Sequence, residues 1–181
     1  MHELFRGTHA ALLLCALLGL ARIAAAEDAS QSAPQPAYWA EHQEVDELDH
    51  LPKPYKCDDL FYKYRDILLR LGARPGIKIY TYGCVRAGHA AVGVPKVDLG
   101  YAVPRFTPTV TGLEARRQSV RLAPGEPKSL TADDCALLDD MRQTVIAAIS
   151  SHIDDHAFDC GSKKHFELVV ETLVPLEPGT K

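Results

Sequence analysis

The sequence predicts an α+β two-layer sandwich, with two helices packed on one face of a four- to five-stranded, mostly antiparallel sheet held by two disulfides. Two segments carry apolar residues at helical spacing, and each opens on a cysteine. Each then turns into a short strand-like run that closes on a second cysteine, and a loop leads to a further strand ending in proline. The order α-β-β therefore occurs twice, as a degenerate duplication with little identity between the halves. At 181 residues, 46% hydrophobic and 24% charged, the chain has a globular balance that excludes wholesale disorder, collagen and coiled coil.

Residues 1–26 read as a secretory signal peptide. Arg6 precedes the apolar run from Ala10 to Leu20, and Ala24-Ala25-Ala26 supplies the small residues of a cleavage site. The run falls short of the roughly 20 residues a bilayer requires, and no later stretch is apolar enough, so no transmembrane segment is expected in the mature chain. Asparagine is absent, which removes N-glycosylation. With abundant Ala, Arg and Leu, that absence points to a GC-rich bacterial genome and hence to a periplasmic or secreted protein. A formal charge of −4 gives no electrostatic footprint for nucleic acid or anionic lipid.

Residues 27–55 read as an acidic, Pro/Ser-rich flexible arm. Pro34, Pro36, Pro52 and Pro54 break any helix beyond a short one around Tyr38 to Leu48, and the single tryptophan, Trp39, lies inside it. Residues 56–176 form the single disulfide-stapled domain, and 177–181 a tail. Leu60, Phe61, Tyr64, Ile67, Leu68 and Leu71 make one helical stripe behind Cys57, and Gly72 stops it. Ile77 to Tyr82 is a strand ending at Cys84, and Lys96 to Val103 a second strand. Pro104 to Pro127 is an exposed loop, with Ser119 to Leu122 as an extra strand. Thr131 and Asp134 then form a near capping box, and Leu138, Met141, Val145, Ala148 and Ile149 carry a helix to Ser150. Ile153 to Phe158 is a short strand running into Cys160, and His165 to Val174 the last strand.

Cys15 leaves with the signal, so Cys57, Cys84, Cys135 and Cys160 remain, an even count that in an exported chain reads as two disulfides. A helix followed by a tightly connected antiparallel strand brings the helix start beside the strand end. The expected pairs are therefore Cys57–Cys84 and Cys135–Cys160.

No nucleophile, zincin or phosphate-loop motif is present. The first functional expectation is a non-catalytic domain acting by binding a protein partner, with the acidic arm and the long middle loop as contacts. The alternative is a metal or small-ligand binder using His152, His156 and His165. Two imidazoles four apart chelate Zn²⁺ or Cu²⁺ on a helix. On a strand they would stand about 13 Å apart. His42, Glu44, Asp46, Asp49 and His50 form a second, looser cluster in the arm. An enzyme without a recognisable motif is the third reading. The acidic pairs Asp58-Asp59 and Asp133-Asp134 sit in helix first turns, where carboxylates offset the helix dipole; Asp139-Asp140 is a third such pair. Tyr80 and Tyr82 share one strand face with Cys84, and a half-buried face against a helix is expected for them.

Overall fold

The structure, a computed structural model, describes residues 32–109, 111–161 and 165–176. The expected signal peptide and the 177–181 tail lie outside the described residues. The chain runs β1 (Gln35–Glu47), α1 (Cys57–Arg70), β2 (Lys78–Tyr82), β3 (Lys96–Phe106) and β4 (Leu113–Leu122). A short 3₁₀ turn at Ala132–Asp134 then opens α2 (Cys135–Met141). That helix widens into a π-type stretch at Arg142–Ile146 and ends in the turn α3 (Ala147–Ile149). β5 (His152–Asp154), β6 (Phe158–Asp159), β7 (His165–Phe166) and β8 (Leu168–Pro175) complete it.

Six strands form one sheet in the order β2-β3-β1-β4-β8-β5, and every adjacent pair is antiparallel. β6 and β7 make a separate two-stranded ribbon. The α+β class, the mostly antiparallel sheet and the two helices are as the sequence predicts. The strand count is not, and the reason is β1. Residues 35–47 do not form an arm or a short helix; they pair along eleven positions with β3, from Ala37↔Phe106 to Glu47↔Lys96, and through Gln35–Ala37 with β4. Pro36 is tolerated because it sits near the start of the strand. The middle segment is likewise strand rather than loop over much of its length, with Pro104–Phe106 closing β3 and Leu113–Leu122 forming β4.

α1 forms where its stripe predicts. Asp58 and Asp59 occupy the first turn, and Leu60, Tyr64, Ile67 and Leu68 are fully buried. It stops at Gly72, whose φ of +91° suits glycine. A Cβ there would lie 2.4 Å from the Leu173 carbonyl oxygen of β8, so the helix end meets the sheet backbone directly. The second helix opens on the capping box of Thr131 and Asp134. Leu137, Leu138, Met141, Val145 and Ile146 pack in the same core as Val97, Leu99, Val120, Leu122, Leu168 and Val170 of the sheet.

Both disulfides pair as expected. Cys57, the first residue of α1, joins Cys84 just past β2, with Cα atoms 5.2 Å apart. Cys135, the first residue of α2, joins Cys160 just past β6 at 5.4 Å. No helix among the described residues is long and apolar enough to cross a membrane.

Candidate functional site

Polar residues of β1 build one candidate site. Along the strand Glu41, Gln43, Val45 and Glu47 are exposed, while His42, Glu44 and Asp46 turn to the other face, as the two-residue period of a strand requires. His42 stacks on Tyr101 of β3, ring centroids 5.2 Å apart and nearly parallel. The Tyr101 hydroxyl and Glu44 Oε2 are both buried, with no hydrogen bond of normal geometry among the described residues, and the Glu44 charge acts on Tyr101. Asp46 is 1% exposed; the Tyr64 hydroxyl of α1 donates to its Oδ2 at 2.5 Å, and its Oδ1 has no partner.

The β1–α1 connection and α2 add three groups. Leu48, fully buried, anchors the connection by donating its N–H to the Pro95 carbonyl at 2.9 Å, and the chain then turns through Asp49 and His50. His50 Nδ1 lies 2.6 Å from Asp49 Oδ1 and 3.4 Å from Oδ1 of Asp140 on α2. Asp140 is 7% exposed, and its Oδ2 is buried without a partner. The Thr144 hydroxyl donates to the Asp140 carbonyl oxygen at 3.0 Å, where the helix has widened into its π-type stretch. Such stretches are rare and concentrate at functional sites.

Two buried carboxyls in one place do not ionise freely. Burial raises the pKa of Asp46, against the hydrogen bond from Tyr64 that lowers it. Burial likewise raises that of Asp140; His50 pulls it down, while the charges of Asp46 and Asp49 push it further up. For a carboxyl whose folded pKa is raised, the native state holds the proton more tightly than the unfolded chain. Its ionisation therefore costs stability, and stability falls as pH rises through the raised value. Asp46→Asn removes that ionisation and keeps an oxygen for Tyr64 to donate to. In metal-free buffer the variant is expected to gain stability relative to the parent progressively above about pH 4, the ordinary Asp value. Urea titrations at a series of pH values check this, and a difference that does not change with pH would refute it.

A second candidate lies at the edge of the sheet. β2 pairs with β3 only, and Tyr80 and Tyr82 are 57% and 52% exposed. The expectation that this face packs half-buried against a helix is corrected, because α1 covers the opposite face, where Ile79 is buried. Tyr80 shares a cross-strand rung with Asp98 and Val45, and Tyr82 one with Lys96 and Glu47. Beside the strand opens a cleft of about 680 Å³, lined by Lys56, Cys57, Asp58, Thr81, Val85 and Arg86 among others. The Cys57–Cys84 bridge and the hydrogen bonds Cys57 N–H to Val85 O and Val85 N–H to Tyr55 O, at 3.0 and 2.8 Å, fix its wall.

The structure does not build the histidine cluster on a helix. His152 lies on β5 and His156 in the turn before β6, both exposed, so the i, i+4 chelate of a helix is absent. The His156 N–H donates to Asp154 Oδ1 at 3.2 Å, an ordinary turn contact. Cys160 is committed to a disulfide. The backbone of His165 belongs to β7, and its side chain lies outside the described residues. Sequence reasoning did single out Asp46, Asp49 and His50, but it missed Asp140 as their neighbour. The available signal was an acid on a helix whose next residue, Met141, belongs to the apolar stripe. Trp39 packs on the domain, with the Arg74 guanidinium 5.7 Å from its ring centroid.

No known protein family, curated protein or solved structure matches the chain.

Proposed function

We propose that the chain is an exported, non-catalytic domain that acts by binding another protein, taking an extended segment of its partner along the free edge of β2. One observation carries the reading: β2 ends the sheet with no further strand beside it among the described residues, only the Arg86 guanidinium donating to the Thr81 carbonyl at 3.0 Å, and this edge, flanked by two tyrosines more than half exposed, borders a cleft with a disulfide-fixed wall. Free edges invite strand addition, in which main-chain hydrogen bonds supply affinity and neighbouring side chains supply selectivity. Tyrosine suits such a contact because it buries a large ring while its hydroxyl stays wet. The acidic arm and middle loop, the contacts expected from sequence, are largely taken up as β1 and β4, which leaves the β2 edge as the better candidate. Export, to the periplasm or the medium, is supported by the two disulfides, which form and persist in oxidising compartments. The acidic balance favours a protein partner over nucleic acid.

The duplication is part of the same reading and is widened by β1 and β4. Each half runs strand, helix, strand, strand: β1-α1-β2-β3, then β4-α2-β5-β8, with the small β6–β7 ribbon inserted. The sheet order reads β2-β3-β1 and then β4-β8-β5, the same set mirrored about the β1/β4 junction. In each half the first helical cysteine is bridged to a cysteine beyond the next strand, at separations of 27 and 25 residues.

Selection from a library of random extended peptides tests the function. The mature protein is expected to enrich a consensus, and the enriched peptide to bind a Tyr80→Ala/Tyr82→Ala variant at least tenfold more weakly by fluorescence anisotropy. Absence of any enriched consensus, or equal binding by the variant, would overturn the proposal.

A further inference from the structure

Independently of the β2 edge, we propose that Asp49, His50 and Asp140 form a binding site for one divalent transition-metal cation, of the Zn²⁺ or Mn²⁺ type. One ligand atom from each of the three residues lies within 4.8 Å of the others. Ligands around a common cation at about 2.0–2.2 Å stand no more than about 4.4 Å apart, so the three converge on one ion with only a small side-chain adjustment. A cluster of acids alone would not suffice, because exposed carboxylates gather on many surfaces without an ion. Here one member is different in kind. Asp140 is 7% exposed; its Oδ1 lies 3.4 Å from His50 Nδ1, and its second carboxylate oxygen is buried with no hydrogen-bond partner among the described residues. A buried polar atom left unpaired is costly, and a bound ion would offset that cost. The donor set itself selects the metal. Carboxylates alone would suit Ca²⁺ or Mg²⁺, but the imidazole of His50 shifts the preference to first-row transition metals.

The surroundings fit a ligand sphere with an open side. Asp49 and His50 are exposed, with side chains 59% and 79% accessible, so an ion has a path from solvent and room to keep water ligands. Asp46 adds a further buried carboxyl with an unpaired Oδ1, close enough for its charge to act on Asp140. Asp140 sits in the last turn of α2, directly before the π-type stretch at Arg142–Ile146. His152 and His156 take no part.

Isothermal titration of the full mature protein with ZnCl₂, and in parallel with MnCl₂ and CaCl₂, tests the site. Saturable binding of one Zn²⁺ or Mn²⁺ per chain is expected, with Ca²⁺ at least tenfold weaker. His50→Ala, at an exposed position that leaves the fold intact, and Asp140→Asn should each weaken binding by at least tenfold. A His152→Ala/His156→Ala variant should bind as the parent does. Absence of saturable binding, or preference for Ca²⁺, would overturn the proposal. So would loss of binding in His152→Ala/His156→Ala with His50→Ala unchanged, which would move the ion to the 152–165 segment.

Discussion

Reducing both disulfides is expected to lower the melting temperature by about 12–24 °C. Each bridge closes a loop of similar size, 27 residues between Cys57 and Cys84 and 25 between Cys135 and Cys160. In the chain-entropy account such a loop is worth about 3 kcal/mol, so the two together amount to about 6 kcal/mol. Domains of this size have about 5–15 kcal/mol in all, and each kcal/mol moves the midpoint by roughly 2–4 °C. The placement of the bridges argues for the full effect. Cys57 and Cys135 are each the first residue of a helix, so each bridge ties a helix start to a later point of its own half, just past β2 in the first and just past β6 in the second. The two bridges also differ in access. Cys57, Cys84 and Cys135 are 5–6% exposed, while Cys160 lies in an exposed turn. Attack by a thiolate requires reach to a sulfur, so Cys135–Cys160 is expected to open first under mild reductant. Thermal unfolding followed by circular dichroism, with and without reductant, measures the shift, and alkylation with mass mapping gives the order. A shift under 3 °C, or opening of Cys57–Cys84 first, would contradict the argument.

The cysteines were the most readable part of the chain because their pairing follows from local geometry alone. A helix and the next strand, joined by a short turn, have few ways to pack, and the bridge follows from that hairpin-like return. The stripes behind Cys57 and Cys135 were readable for the same reason, since Leu60, Tyr64, Ile67 and Leu68, or Leu138, Met141 and Val145, each face one core. β1 was not. A half-buried strand announces itself by alternating apolar and polar residues, and in β1 the inward positions are His42, Glu44 and Asp46, while exposed Val45 is apolar. The pattern is inverted because those inward positions meet Tyr101, Tyr64 and the second helix through polar contacts rather than apolar packing. Local rules break where a sequence serves something besides the core, and β1 leads directly into the connection that carries Asp49 and His50. Tyr80 and Tyr82 were misplaced for a different reason. Ile77, Ile79, Tyr80 and Tyr82 are all acceptable on a buried face, and only the position of β2 at the sheet edge decides that the tyrosines face water.

Replacing Asp134 by alanine is expected to cost about 3–5 kcal/mol, the range for breaking a buried ion pair by removing one partner. Asp134 is 1% exposed and joins the start of the second helix to α1 and to the connection before it. Its Oδ2 accepts from Lys63 Nζ at 2.6 Å and from the N–H and hydroxyl of Thr131 at 2.7 and 2.8 Å; Oδ1 accepts from the Tyr55 hydroxyl at 2.9 Å. Without it, the Lys63 ammonium keeps only the Ser129 carbonyl, at 2.5 Å, in a site where it is 8% exposed. Burial alone would raise the Asp134 pKa, but the hydrogen bonds from Lys63, Thr131 and Tyr55 together outweigh it and hold the carboxyl below the ordinary Asp value. The sign for pH follows from that lowered value. The contribution is complete above the unfolded pKa, near 3.9, and is lost as pH falls through the folded one. The gap between the parent and Asp134→Ala should therefore be constant from neutral pH down to about 5 and close only in stronger acid. Burying both partners as apolar residues removes the uncompensated charge, so Lys63→Met/Asp134→Leu is expected to recover much of what Asp134→Ala loses. Urea unfolding of the three proteins across pH decides it. A loss under 1 kcal/mol, or a double variant no better than the single one, would mean that the Lys63–Asp134 pair does not hold the second helix to α1.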